Sequence, residues 1–117
     1  MNNMFFGLFS CPEWQGTKAS DRRPCIVRRQ EGGRSWVIPC TTKYHNNDSC
    51  VYVSNLKRPS FAVMPADCRY TVNSDEVEVV KDVPEELHKE ILWWEITHDV
   101  NLLNKEELKF AQEWCFA

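Results

Sequence analysis

The feature that most constrains this chain is a change of period at Val83. Up to that point apolar residues come in short runs rich in β-branched and aromatic side chains, broken by Gly, Pro and Asn. Beyond it, Leu87, Ile91 and Trp94 recur at helical spacing. Short strands followed by helices define an α+β chain, and many short strands with Gly and Pro turns predict a small antiparallel barrel with C-terminal helices.

The runs place the strands. Residues 4 to 9 form the first, with Gly7 as a weak point or bulge. Cys11 to Asp21 has little periodicity and contains Pro, Gly and Ser, so it is a long loop, a kind of segment that often carries function. Pro24 to Arg29 and Arg34 to Pro39 are paired strands around a turn at Gln30-Glu31-Gly32-Gly33, with a polar loop from Thr41 to Asp48. Strands follow at 50 to 53, 60 to 64 and 68 to 72, and Glu76 to Val80 alternates as a half-exposed strand does. Pro84, Glu85 and Glu86 suit a first helical turn, and Asn104-Lys105-Glu106-Glu107 has the form of a capping box before a second helix with Leu108, Ala111 and Cys115 on one face. Trp93, Trp94 and Trp114 are expected to pack on the barrel or on each other.

A chain of 117 residues makes one core, burying roughly two-thirds of its unfolded surface. No apolar run reaches the roughly 20 residues that span a bilayer, and the apolar start lacks a basic lead-in, so a cytoplasmic protein without membrane contact is expected. The six cysteines are scattered without a CxxC pair. They read as reduced thiols, those at 25, 40, 50 and 68 acting as small core hydrophobes, with a zinc site that includes His45 as the other reading.

The net charge of −3 hides an asymmetry. Residues 1 to 58 carry nine Lys and Arg against four acids, a balance of +5, and the remainder a balance of −8. A basic half is a footprint for a polyanion, while solvated faces of a two-part domain are the alternative. Within it, Arg22-Arg23-Pro24-Cys25-Ile26-Val27 and Ile38-Pro39-Cys40-Thr41-Thr42 bring guanidinium and hydroxyl groups to the ends of two paired strands, the chemistry of a phosphate site.

GTKASDRRPCIV, then WVIPCTTK, then SFAVMPADCRYTV followed by VPEELHKEI resemble the MazF/PemK (Kid) toxins over residues 16 to 95. The resemblance implies a single domain with an SH3-like barrel, extended by a helical segment from 97 to 117. It also implies a homodimer, a cognate antitoxin or other protein partner, and cleavage of single-stranded RNA with neither metal nor cofactor. By position, Arg23 and Thr41 match residues implicated in cleavage and Thr42 a hydroxyl that helps bind RNA. Some members place a catalytic Arg and Asp where this chain has Met64 and Ala66. From the residues themselves, His45 is the nearby group whose ordinary pKa suits a general base, an exposed loop His being the alternative. Arg22, Lys18 and Lys43 add cations for RNA, and Trp14 a ring for a base, unless it anchors its loop. Arg23 either contacts phosphate or pairs with an acid such as Asp67. A catalytically inactive binding module for nucleic acid or protein is the other function the resemblance allows.

Overall fold

The computed structural model describes residues 4–10, 22–41, 50–54, 56, 59–64 and 71–115. Two compact units emerge: the strands, within residues 4 to 82, and the helices, from residue 83 onward. Strands β1 (Phe5–Ser10), β2 (Arg22–Glu31), β3 (Arg34–Thr41), β4 (Cys50–Val53), β5 (Ser60–Val63), β6 (Thr71–Asn73) and β7 (Val77–Asp82) form one antiparallel sheet. Its order is β4-β5-β3-β2-β1-β7, with β6 also on β3, and the pairings among the described residues do not close it into a barrel.

β3 is the pivot. Its first residues, Arg34 to Trp36, pair with β6, and its last, Cys40 and Thr41, pair with β5. β2 lies along its other edge, joined by Gly32 and Gly33 alone, at φ 57° and 78°. Two consecutive positive φ values make the tight turn whose twist suits a hairpin, and glycine takes them without steric cost. The turn expected over Gln30 to Gly33 is therefore shorter, because Gln30 and Glu31 stay in the strand opposite Ser35 and Arg34. One irregularity interrupts the ladder between Val27 and Arg29, and another shifts β1 against β7 at Phe6/Gly7. A Cβ on Gly7 would stand 2.8 Å from the Glu78 carbonyl oxygen, so the close approach of β7 requires glycine there.

The centre of the sheet is buried on both faces. One face carries Phe9, Cys25, Val27, Val37 and Val72, with Phe5 and Val77 against them. Phe6, Ile26 and Ile38 align across three strands on the other and are equally buried. Each side chain so removed from water contributes about 1.5–3 kcal/mol. The half-exposed alternation expected of β7 does not hold: Val79 and Val80, neighbours in the strand, are both exposed, and among the described residues β7 pairs with β1 alone.

In the helical unit, α1 (Glu85–His98) buries Leu87, Ile91 and Trp94 as their spacing predicts. Pro84 stands just before its first turn, at φ −59° and ψ 150°. Trp94 stacks on His98 at 4.2 Å between ring centres, while Trp93 is exposed. A 3-10 turn at Val100–Leu102, where Asp99 Oδ1 accepts from the Asn101 N–H, leads to α2 (Lys105–Cys115). The capping box is present in both directions: the Glu107 N–H donates to Asn104 Oδ1 at 2.8 Å and the Asn104 N–H to Glu107 Oε1 at 3.1 Å. Asn104→Ala is expected to lower stability by about 1 kcal/mol, read as a shifted urea midpoint, with Asn104→Asp nearly neutral.

Candidate functional site

The β2–β3 hairpin presents chemistry at both ends, and the alternation of side chains sorts it by face. At the open end Pro24 and Pro39 supply no N–H, and the ladder between the two strands stops at Cys25 opposite Pro39. Arg23 and Thr41 each lie two residues past that pair, on the face that carries Cys25. Arg23 is exposed and Thr41 half-buried, at the point where β3 leaves β2 to pair with β5.

Arg22, the neighbour of Arg23, points to the other face. Its guanidinium reaches across β1 to the Glu78 carboxylate on β7, in a pair open to solvent. Any phosphate at Arg22 competes with this carboxylate. Of the other sequence candidates, Trp14, Lys18, Thr42, Lys43 and His45 lie outside the described residues, as does Asp67. Arg23 and Thr41 are thus brought to neighbouring strand ends, while Arg22 is directed elsewhere.

At the turn end lies a cleft that the sequence reading missed. The register sets Arg29, Trp36 and Thr71 in one row across β2, β3 and β6, and Glu31, Arg34 and Asn73 in the next. Arg29, Glu31, Arg34, Trp36 and Thr71 line a cleft of about 130 Å³. Arg34 is held at three points: it donates to Asn73 Oδ1 at 2.8 Å, to Thr71 Oγ1 at 3.1 Å and to the Thr71 carbonyl at 3.2 Å. The guanidinium carbons of Arg28 and Arg29 lie 5.0 and 5.5 Å from the centre of the buried Trp36 ring, within cation–π range. Beside the cleft Gln30 donates to Ser35 Oγ at 3.1 Å, Ser35 and Ser74 share a 2.8 Å bond, and the Ser74 N–H donates to the Gly33 carbonyl. These bonds pin the corner after β6 to the hairpin turn. The sequence signal was Gly32-Gly33: a two-residue turn there already pairs Glu31 with Arg34 and Arg29 with Trp36.

Between the two ends lie Cys25 and Cys40, both free and buried as expected of core thiols. Burial pushes the Cys25 thiol up from 9.0 to about 12, opposed by a backbone hydrogen bond from Gly7. Cys40 is also pushed up, first by burial and then by its proximity to Cys25. These are poor nucleophiles and not metal-poised thiolates. Among the described residues no three His, Cys, Asp or Glu side chains form a group able to hold a metal ion. The unfolded chain loses each thiol proton first, so the folded state binds more protons between the two values. Stability is therefore expected to fall as pH rises from 9.0 towards 12, by up to about 1.4 kcal/mol per pH unit for each such thiol. Urea unfolding followed across that range checks it, with a shallower decline in Cys25→Ala.

No helix is long and apolar enough to cross a membrane among the described residues. Neither a scan against protein-family models nor a search of curated proteins finds a match for the chain.

Proposed function

We propose that this chain is a metal-independent endoribonuclease of the MazF/PemK kind, cleaving single-stranded RNA to a 2′,3′-cyclic phosphate, and that its antiparallel sheet is the SH3-like form of that family. The observation that carries the reading is the placement of Arg23 and Thr41 on one face at the ends of adjacent strands. The all-antiparallel order of the strands, with β5 and β6 on one edge of β3 and β2 along the other, is compatible with that fold.

In this reaction the 2′-oxygen attacks phosphorus as a base takes its proton. The P–O5′ bond breaks, and an acid protonates the departing 5′-oxygen. Arg23 stabilises the charge on the phosphoryl oxygens with its two-pronged donor, and the Thr41 hydroxyl donates to the same group. His45 is the candidate base. The antitoxin, or another protein partner, and a second copy of the chain are the macromolecular partners of this reading, and the cytoplasm its compartment.

One observation favours a second reading, a non-catalytic RNA-binding module. Met64, at the position where some members carry a catalytic Arg, is only 2% exposed and belongs to the core. Purified protein incubated with mixed-sequence RNA in EDTA separates the two. Fragments ending in 2′,3′-cyclic phosphate are expected, whereas intact RNA that is nevertheless retained at low salt selects the binding module, and intact unbound RNA removes both.

A further inference from the structure

The cleft at the turn end of the hairpin belongs to no part of the reaction just described. It lies on the sheet face opposite Arg23 and six residues further along β2, so the strand and the sheet itself separate them. Its volume of about 130 Å³ is below the several hundred Å³ of pockets that enclose a whole cofactor. It therefore takes one small polar group of a larger ligand. The lining specifies that group: Arg29 and Arg34 call for an anion, and Glu31, set opposite Arg34, repels an anion alone and calls for a donor beside it.

A phosphate with a hydroxyl next to it meets both demands. We propose that the β2–β3–β6 cleft is a subsite for one ribose-phosphate unit of single-stranded RNA, with Arg34 and Arg29 on the phosphate and Glu31 accepting from the 2′-hydroxyl. Arg34 is pre-organised for this role, because Asn73 and Thr71 already hold its guanidinium and little side-chain entropy is left to lose on binding. The 2′-hydroxyl is the group by which a protein tells RNA from DNA. Glu31 thus supplies discrimination, while the arginines supply affinity. The inference rests on the RNA reading of the preceding section, but on different residues.

The test is made on the full chain carrying Arg23→Ala, so that the strand stays intact. Binding of a short single-stranded RNA and of the DNA of the same sequence is followed by fluorescence anisotropy over a range of salt. Adding Arg34→Ala is expected to weaken RNA binding about tenfold and to reduce the log–log salt slope by about 0.7, the share of one single-strand phosphate. Adding Glu31→Ala removes a negative charge and so raises the affinity for both strands, yet the RNA-to-DNA affinity ratio is expected to fall. An unchanged slope in the first variant, or an unchanged ratio in the second, overturns the subsite and leaves the cleavage reading standing. Because Arg34→Ala also frees β6, a ribonucleoside 3′-monophosphate, whose phosphate adjoins the 2′-hydroxyl, is titrated into the unmodified chain as a second measurement. Shifts of the Trp36 indole and Thr71 amide NMR signals that inorganic phosphate does not reproduce support the subsite. Equal shifts with both reduce it to a plain anion site, and no shift with either removes it. Failure of wild-type cleavage in EDTA, with the salt-slope change retained, overturns the nuclease reading alone.

Discussion

Arg23→Ala is expected to slow RNA cleavage by about a hundredfold or more, the usual effect of removing one donor aimed at developing charge, while Arg22→Ala slows it by no more than a few-fold. The two residues are adjacent in sequence, yet a strand sends neighbouring side chains to opposite faces. Arg23 shares its face with Thr41, whereas Arg22 is drawn across β1 to Glu78. That ion pair is solvent-exposed and contributes at most about 1 kcal/mol to stability, so its loss leaves the sheet intact and Arg22→Ala serves as a folded control. Arg23→Lys is expected to fall between the two, since an ammonium keeps the charge but loses the planar fork that grips two phosphoryl oxygens. Single-turnover cleavage in EDTA checks the order of these variants. Equal losses at positions 22 and 23 would mean that the arginines act through their summed field, and the assignment of Arg23 to the phosphate would be withdrawn.

What the sequence disclosed and what it concealed divide by the range of the interaction. Gly7 as a bulge, the hairpin on either side of Gly32-Gly33 and the Asn104-Glu107 box are written in neighbouring residues, and each is present. The Arg22–Glu78 pair joins residues 56 apart, and the bonds that fix Arg34 to Thr71 and Ser35 to Ser74 span 37 and 39. No local pattern encodes such pairings, so the turn-end cleft was invisible even though three of its charged residues flank the glycines. The length of the turn mattered more. Assigning Gln30 and Glu31 to it took Glu31 out of the strand and hid the row that it shares with Arg34 and Asn73. Exposure of β7 failed for a related reason: alternation predicts which face a side chain takes, but not whether anything covers that face.

The largest loss of stability is expected from Phe9→Ala. Phe9 is fully buried among Cys25, Val27, Val37 and Val72, a cluster drawn from β1, β2, β3 and β6, so its ring joins strands that are far apart in sequence. Truncation removes the transfer free energy of the ring and leaves a void that a sheet buried on both faces relaxes only in part. The cost is about 3–5 kcal/mol, a large share of the roughly 5–15 kcal/mol that holds a domain folded, and the melting temperature should drop by roughly 15 °C. Val80→Ala, on the exposed outer strand, should change stability by less than about 0.5 kcal/mol. Phe9 also stands directly opposite Arg23 in the β1–β2 ladder. Phe9→Leu, which keeps most of the volume, is therefore the informative intermediate: if the core holds the strand end that carries Arg23, cleavage measured well below the melting temperature should decline along with stability. Full activity in a strongly destabilised Phe9→Leu would show that β2 places Arg23 without help from this core.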